Sequence, residues 1–448
     1  MSDPPTGRPL KFLLINPTAS EWRTDGGRNP SRRTRVFRFS MLSSLYVAAA
    51  MPSGVGTTIL DEDIEPIDFS ADADLVGLSF MTFNAPRAYA IADRFRAERG
   101  IPVIFGGYHP SFLPEEALQH ADAVCIGEAE CNVPRMIEDF RSGKLAGLYR
   151  NGLADLSGLP VPDRTLIRRA AYISADTVQA TRGCPYRCTF CSIASFFEHT
   201  FRARPVAEVI AELGPLGRFL MFMDDNIIAD RDYAMELFAA MIPLRKRWFS
   251  QCGINIARDP ELLRLAHASG CRGLFIGLES LSQENLKAWR KNSNRARDYH
   301  RALERIHEQG IAVYAGMVFG NDWDAPEVFD ETMQFLVEAR VDALQATILT
   351  PFPGTPLYEE MKAGGRLTDA DWGHYDFKHV VFEPRNMSRA QLQEGHARVL
   401  NRFYAWPLLL KRLRRQLGYL CPETMLHASI PLNLSYRTRL HTNGVLVS

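Results

Sequence analysis

With 448 residues, 46% of them hydrophobic and 23% charged, the chain is long enough for two to four domains of roughly 100–200 residues. That size and composition exclude a lone binding module and a disordered, collagen-like or coiled-coil polymer. Lys plus Arg and Asp plus Glu each total 52, so the net charge of zero supplies no general attraction to nucleic acid or membrane; yet residues 1–40 hold eight Lys/Arg against three Asp/Glu, residues 384–448 hold ten against two, and the stretch between is acidic.

No apolar run approaches the ~18 residues that span a bilayer, and runs such as Leu45 to Met51 stop at a Pro. The polar start MSDPPTGRP lacks the apolar centre of a secretory signal. A soluble cytoplasmic protein without a transmembrane segment is expected. After a tail of nine residues, KFLLIN (11–16), GTTILDED (56–63), ADLVGLSF (73–80), PVIFGG (102–107) and ADAVCIG (121–127) read as buried parallel strands, because each is a near-continuous apolar run. Helices are expected at about 40–50, 86–99 and 131–142. Strand and helix taking turns over residues 1–143 predicts an α/β, doubly wound, Rossmann-like domain. Ligands of such sheets lie outside the carboxyl ends of the strands, which singles out Asn16, Asp61, Ser79, Gly106, Gly107, Gly127 and Glu128. Residues 144–170, with LSGLPVPDR, read as a linker.

The alternation restarts over residues 171–355. Strands are expected at 173–181, 218–225, 248–255, 273–280, 312–320 and 342–350, with helices at about 204–213, 230–243, 259–268, 295–309 and 325–339. Six β/α units fit a partial (β/α)6 barrel of the TIM type better than another open sheet. Residues 356–448 turn irregular and then helical and basic, a third, mainly helical unit.

The eight Cys are too sparse for a disulfide framework, but three fall in Cys184-Pro-Tyr-Arg-Cys188-Thr-Phe-Cys191, directly after the first strand of the second block. Three thiolates spaced CxxxCxxC can converge on one soft metal centre: zinc, copper(I) or an iron–sulfur cluster. Structural zinc wants four closed ligands, and the nearest fourth in sequence is His199. A three-thiolate [4Fe–4S] cluster leaves one iron open to a substrate. Cys125, Cys131, Cys252, Cys271 and Cys421 read as ordinary small residues.

CxxxCxxC with an aromatic before the last Cys, at the exit of the first strand of a six-unit β/α barrel, resembles the radical S-adenosylmethionine (SAM) superfamily. The resemblance implies that Cys184, Cys188 and Cys191 hold a [4Fe–4S] cluster whose free iron binds the amino and carboxylate groups of SAM. An electron then splits SAM into methionine and a 5′-deoxyadenosyl radical, and a reductant such as flavodoxin or ferredoxin is expected. It further implies that Phe190 packs near the adenine, Asp224 and Asp225 face the ligand's ammonium, and Gln251 and Glu279 contact ribose or methionine. Gly316 would admit the backbone close to adenine. The alternative for each polar residue is a helix cap or turn former, and for the glycine a turn of the chain.

An α/β domain ahead of such a barrel resembles the cobalamin-dependent branch, which includes hopanoid methylases and ring-forming or ring-contracting enzymes. Ser79 stands 27 positions before Gly106-Gly107, close to that branch's spacing, and GGYHP is similar to it. These three residues are expected at a cobalamin. The branch's Asp-x-His-x-x-Gly loop is missing, since strand one runs into Asn16-Pro-Thr-Ala-Ser-Glu-Trp22 with no His to ligate cobalt. His109 is expected to be a structural histidine rather than a replacement ligand. TPFPGTPLYEEM (350–361) and DWGHYDFKHVVFEP (371–384) resemble the branch's carboxyl-terminal region. Trp372, Tyr375, Phe377, Phe382, Phe403, Tyr404 and Trp406 are expected mainly as that unit's core, with an apolar substrate pocket as the alternative. Lys411, Arg412, Arg414 and Arg415 are expected on a solvated helix face, with an acidic or membrane-associated substrate as the alternative.

The leading expectation is a cobalamin-dependent methyltransferase acting on an unactivated carbon of a small natural product or lipid. A SAM-radical cyclase, rearrangement or oxidation enzyme of the same architecture is the alternative. A non-catalytic iron–sulfur or zinc protein binding nucleic acid is a distant third, and no nucleic acid partner is expected.

Overall fold

The computed structural model describes residues 8–18 and 39–442. Most of the amino-terminal tail, most of the basic amino-terminal segment and the Ala19 to Trp22 part of the loop after the first strand lie outside the described residues. Six strands form one wholly parallel sheet: β1 (Leu10–Asn16), β2 (Val55–Asp61), β3 (Leu75–Ser79), β4 (Val103–Gly106), β5 (Ala123–Ile126) and β6 (Gly147–Arg150), in the order β2-β1-β3-β4-β5-β6. Ala88, Ile91 and Phe95 of the helix Ala85–Arg99 pack on one face with Leu13, Ile15 and Val76. Leu42, Leu45, Val133 and Met136, from the helices Leu42–Ala49 and Ala129–Arg141, pack on the other with Leu10, Phe12 and Leu14. Helices on both faces explain why these strands read as unbroken apolar runs.

The sixth strand corrects the sequence reading, which assigned 144–170 to a linker. Gly147–Arg150 pairs with β5 at the sheet edge, and its Gly-Leu-Tyr-Arg is too short and too polar to register as a buried strand.

The expected strand 173–181 also divides. Only β7 (Thr177–Val178) joins the second sheet, whereas β8 (Thr181–Gly183) forms an antiparallel ribbon with β9 (Phe201–Ala203). β10 (Phe219–Phe222), β11 (Arg247–Cys252), β12 (Cys271–Glu279), β13 (Ala312–Phe319) and β14 (Ala343–Ile348) continue the sheet, all parallel, in the order β7-β10-β11-β12-β13-β14. This is the partial six-stranded barrel. Most buried residues of each strand meet the helices, while the alternate set, including half-buried Gln251, Phe275, Gly277, Tyr314 and Gln345 and the buried Gly316, lines the concave side.

The third unit splits between the two ends of the barrel. Residues 352–382 cross the mouth, where the Phe377 ring lies 4.9 Å from Phe352 and 6.5 Å from Phe83 of the first domain. Residues 406–442 close the foot: Glu423 pairs with Arg218 and Arg247 at 2.9 Å each, and the Tyr436 hydroxyl meets that of Tyr314 near the start of β13. Tyr375, Phe382, Phe403 and Tyr404 are core. Two expectations are corrected here. Trp406 is 49% exposed, and Arg412 is buried, its guanidinium bonded to Asn433 Oδ1 at 2.7 Å and stacked 3.9 Å over Phe403.

Candidate active site

Two carboxylates shape the loop that carries the cysteines. Asp224, just beyond β10, accepts the backbone N–H groups of Ala180 at 3.2 Å and Thr181 at 2.6 Å, and the Thr181 hydroxyl at 2.7 Å. Those bonds end β7 and turn the chain into β8. Asp225 Oδ2 accepts the Gly183 N–H at 2.9 Å, one residue before Cys184. Gly183 itself has φ +80°, and a Cβ there would collide with the Thr200 carbonyl. Burial pushes the Asp224 carboxyl up to about 7 and that of Asp225 to about 6, against these donors. The sequence expectation that Asp224 faces a ligand ammonium is therefore corrected: its carboxylate is occupied by the backbone. Gln251 braces the same corner, its Nε2 donating to the Asp225 carbonyl at 3.0 Å.

Cys184, Cys188 and Cys191 are free thiols on this loop, and the Cys191 N–H donates to the Cys188 carbonyl at 3.2 Å. Burial raises all three thiols, that of Cys191 to about 12, and each of Cys188 and Cys191 is raised further by its cysteine neighbours. Among the described residues no three His, Cys, Asp or Glu side chains, the cysteine trio included, are already gathered around a metal position. Three soft donors that resist ionisation as a bare trio fit a highly charged metal cluster, whose charge takes the place of the three protons.

The wall against the loop holds a residue that sequence reading missed. Lys291 Nζ donates to Glu279 Oε1 at 2.9 Å, both side chains largely buried. Burial works against its charge, but Glu279 and the Cys188 and Cys191 thiols hold the ammonium above the ordinary lysine range. The segment is strapped to the cysteine loop: the Thr189 N–H donates to the Trp289 carbonyl at 3.1 Å, and the Phe190 and Trp289 rings lie 4.9 Å apart. Glu279 has φ +67°, where β12 slips register against β13, and this folds its carboxylate back over Gly277. Gly277 lies beside Gly316 across the β12–β13 pair, and a Cβ on Gly316 would come within 2.9 Å of the Phe275 ring. Lys291 follows Glu279 by twelve residues without a recognisable motif, and only the bulge brings the two together.

On the first domain, Ser79 and Gly106 are register partners at the carboxyl ends of β3 and β4. Gly107 has φ +99°, and a Cβ there would lie 2.6 Å from the Phe80 carbonyl oxygen, so its immediate need for glycine is the neighbouring strand. Tyr108 then packs its ring 4.5 Å from Phe196 of the short helix after Cys191, bringing the Gly-Gly loop against the cysteine loop. His109 is fully buried, with Nε2 2.9 Å from the Tyr89 hydroxyl. Its position inside the domain accords with a structural histidine. Glu128, expected among the strand-end ligand contacts, joins the two domains instead. It accepts from Arg182 at 2.6 Å, Arg202 at 2.7 Å and the Ala154 N–H at 2.7 Å, while Arg182 also reaches Glu130 at 2.6 Å. Asn16 and Asp61 are likewise tied internally, Asn16 Oδ1 to the Ser44 hydroxyl and Asp61 Oδ2 to that of Tyr172.

Sequence comparison matches residues 178–336 to the Radical SAM superfamily and residues 33–136 to the B12 binding domain. Fold and matches together define a radical SAM enzyme that carries a B12 binding domain. The chain is 34% identical over 421 residues to bacteriochlorophyllide d C-12(1)-methyltransferase of Chlorobaculum tepidum, covering 90% of this chain and 89% of that one. It is 27% identical over 375 residues to bacteriochlorophyllide d C-8(2)-methyltransferase of the same organism, covering 79% and 83%. Among solved structures, the radical S-adenosylmethionine methyltransferase TsrM from Kitasatospora setae, with cobalamin and [4Fe–4S] cluster bound, aligns with a TM-score of 0.64 at 16% identity, covering 92% of this chain and 89% of that one. The chain belongs to the cobalamin-dependent radical SAM methyltransferases, whose cofactors are a [4Fe–4S] cluster, SAM and cobalamin. No helix among the described residues is long and apolar enough to cross a membrane.

Proposed function

We propose that this enzyme methylates an unactivated carbon on the periphery of a tetrapyrrole of the bacteriochlorophyllide class. The observation that carries the reading is the 34% identity to a bacteriochlorophyllide d methyltransferase, which runs through 90% of the chain. A second relative with a bacteriochlorophyllide d substrate in its name supports the same class. Half-buried Phe83 and Phe377 at the mouth, backed by Phe352, offer an apolar face suited to a planar macrocycle.

When bound, the cofactors supply a hydrogen-abstracting radical and a transferable methyl group. Cys184, Cys188 and Cys191 would hold the cluster, with Asp225 fixing the start of their loop. Lys291, oriented by Glu279, is the cation available to a carboxylate of SAM, and the paired glycines Gly277 and Gly316 keep that wall open. Phe190, backed by Trp289, offers a ring to adenine, and Gln251 holds the corner beneath it. Ser79, Gly106 and Gly107 line the strand ends where cobalamin would lie, with Tyr108 closing the gap to the cysteine loop. The packed aromatic mouth excludes water from the reacting carbon.

The test is an anaerobic assay of reconstituted enzyme with a bacteriochlorophyllide acceptor and a strong reductant. The expected products are pigment heavier by one methylene, S-adenosylhomocysteine and 5′-deoxyadenosine. Formation of both nucleosides with a lipid acceptor and not with the pigment overturns the substrate assignment. Deoxyadenosine without S-adenosylhomocysteine favours a reaction other than methyl transfer.

A further inference from the structure

The helix Trp406–Gln416 at the foot of the barrel is built inside out. Its inward positions are Leu409, Arg412 and Gln416, and the two polar ones are held by hydrogen bonds, Arg412 to Asn433 and Gln416 Nε2 to Asp342 Oδ1 at 2.8 Å. Its outward stripe is apolar: Trp406 is 49% exposed, Leu410 58%, and Leu417, just past the helix end, 68%. At 100° per residue these three fall within about 40° of one another, with Arg414, Lys411 and Arg415 following around the exposed side. Leu434, on the neighbouring carboxyl-terminal helix, is exposed too, and Arg437 of that helix stacks 4.4 Å over Trp406. Solvent-facing leucines outside polar inward residues are the reverse of what stabilises a surface helix in water.

The charge around this stripe states what covers it. Between Glu394 and Glu423 the sequence has no carboxylate, but it has Arg398, Arg402, Lys411, Arg412, Arg414 and Arg415. Arg402 is paired with Asp330, Arg412 is buried, and Arg398, exposed on the preceding helix, stands over the Phe329 ring, so the exposed cations of this helix itself are Lys411, Arg414 and Arg415. Leu336, Val337 and Leu408 wall a shallow cleft beside them, rimmed by Arg340, Lys411 and Arg415. Apolar anchors flanked by Arg414, with Lys411 and Arg415 further round the exposed side, match the headgroup boundary of an anionic bilayer.

We propose that this face is a docking surface for an anionic phospholipid membrane, with Trp406, Leu410 and Leu417 inserted at the boundary and Lys411, Arg414 and Arg415 at the headgroups. It is at the opposite end of the barrel from the cysteine loop, so docking leaves the mouth open. The inference is independent of the acceptor's identity.

Flotation of the full-length, anaerobically reconstituted enzyme with phosphatidylglycerol/phosphatidylcholine vesicles, and with phosphatidylcholine alone, tests it. Three exposed cations, each strengthening partitioning roughly fivefold, predict a preference for the anionic vesicles of about a hundredfold that weakens as salt rises. Leu410→Glu/Leu417→Glu is expected to reduce binding at least about tenfold while solution turnover, read as nucleoside formation, is unchanged. Leu410→Gln/Leu417→Gln gives a milder loss in the same direction. Absence of binding, or binding that both double variants leave intact, overturns the proposal. So does light scattering that shows a homodimer dissociated by the same variants, since a second copy would then be the cover.

Discussion

Glu279 sits in the left-handed region of backbone space, a conformation that costs a residue with a Cβ about 1–3 kcal/mol and persists only where its surroundings enforce it. What enforces it is the ammonium of Lys291, which would otherwise be buried alone beside the thiols. Lys291→Met is therefore expected to lower unfolding free energy by about 3–5 kcal/mol, because it strands the Glu279 carboxylate. The double variant Lys291→Met/Glu279→Gln removes both charges and should recover most of that loss in denaturant titrations. It should still bind SAM at least tenfold more weakly, followed through the paramagnetic signal of the reduced cluster. Full recovery of both properties would limit the pair to a structural role. The cysteines were legible because their chemistry lies within eight consecutive positions. The pair was only half legible, since Glu279 ends a strand but Lys291 returns to it through a bulge that no local pattern announces. Asp224 was misread for a related reason: a carboxylate at a strand end looks the same in sequence whether it faces a ligand or the backbone of the next turn.

Among the elements, the segment Thr350 to Gly354 depends on one glycine. Gly354 has φ +78°, and a Cβ there would lie well inside van der Waals contact of the Phe112 ring from the first domain. Gly354→Ala combines backbone strain with overpacking, so a loss of about 2–4 kcal/mol is expected in unfolding measurements. Adding Phe112→Ala should relieve only the packing share, since the positive φ remains. The helix Arg389–Phe403 holds a second testable point in His396, buried against β14 with Nε2 2.9 Å from the Ala346 carbonyl. Burial lowers its pKa below the ordinary 6.5, so the folded state binds fewer protons than the unfolded one. The stability it contributes is present above about pH 6.5 and is lost as the pH falls below that value, by at most about 1.4 kcal/mol per pH unit. Thermal unfolding from pH 8 to pH 5 should show a steeper acid loss for the wild type than for His396→Gln. Long apolar strands and their helices were readable because one period dominates each. Short β6 and the broken first barrel strand were not, since edge pairing and a side-chain bond across the chain decided them.

Across the whole molecule, the two cofactor-binding domains are joined by charge. Glu128 ends the loop after β5 and accepts from Arg182 and Arg202, which flank the cysteine loop on β8 and β9. Burial opposes its ionisation, yet Arg202 and Arg182 hold its carboxyl below the usual range. Methyl transfer requires the substrate to meet chemistry anchored in both domains, whereas SAM cleavage needs only the barrel, so a fault in this joint should separate the two. Glu128→Gln leaves Arg182 bonded to Glu130 but removes the charge that Arg182 and Arg202 share. Breaking so buried a contact costs about 3–5 kcal/mol, enough to loosen the domains against each other without removing a cluster ligand. The expected outcome is retained iron and near-normal deoxyadenosine formation, with S-adenosylhomocysteine and methylated product reduced at least tenfold. A parallel fall in all three products would show instead that Glu128 acts by holding the cysteine loop through Arg182, and that the joint has no separate part in methyl transfer.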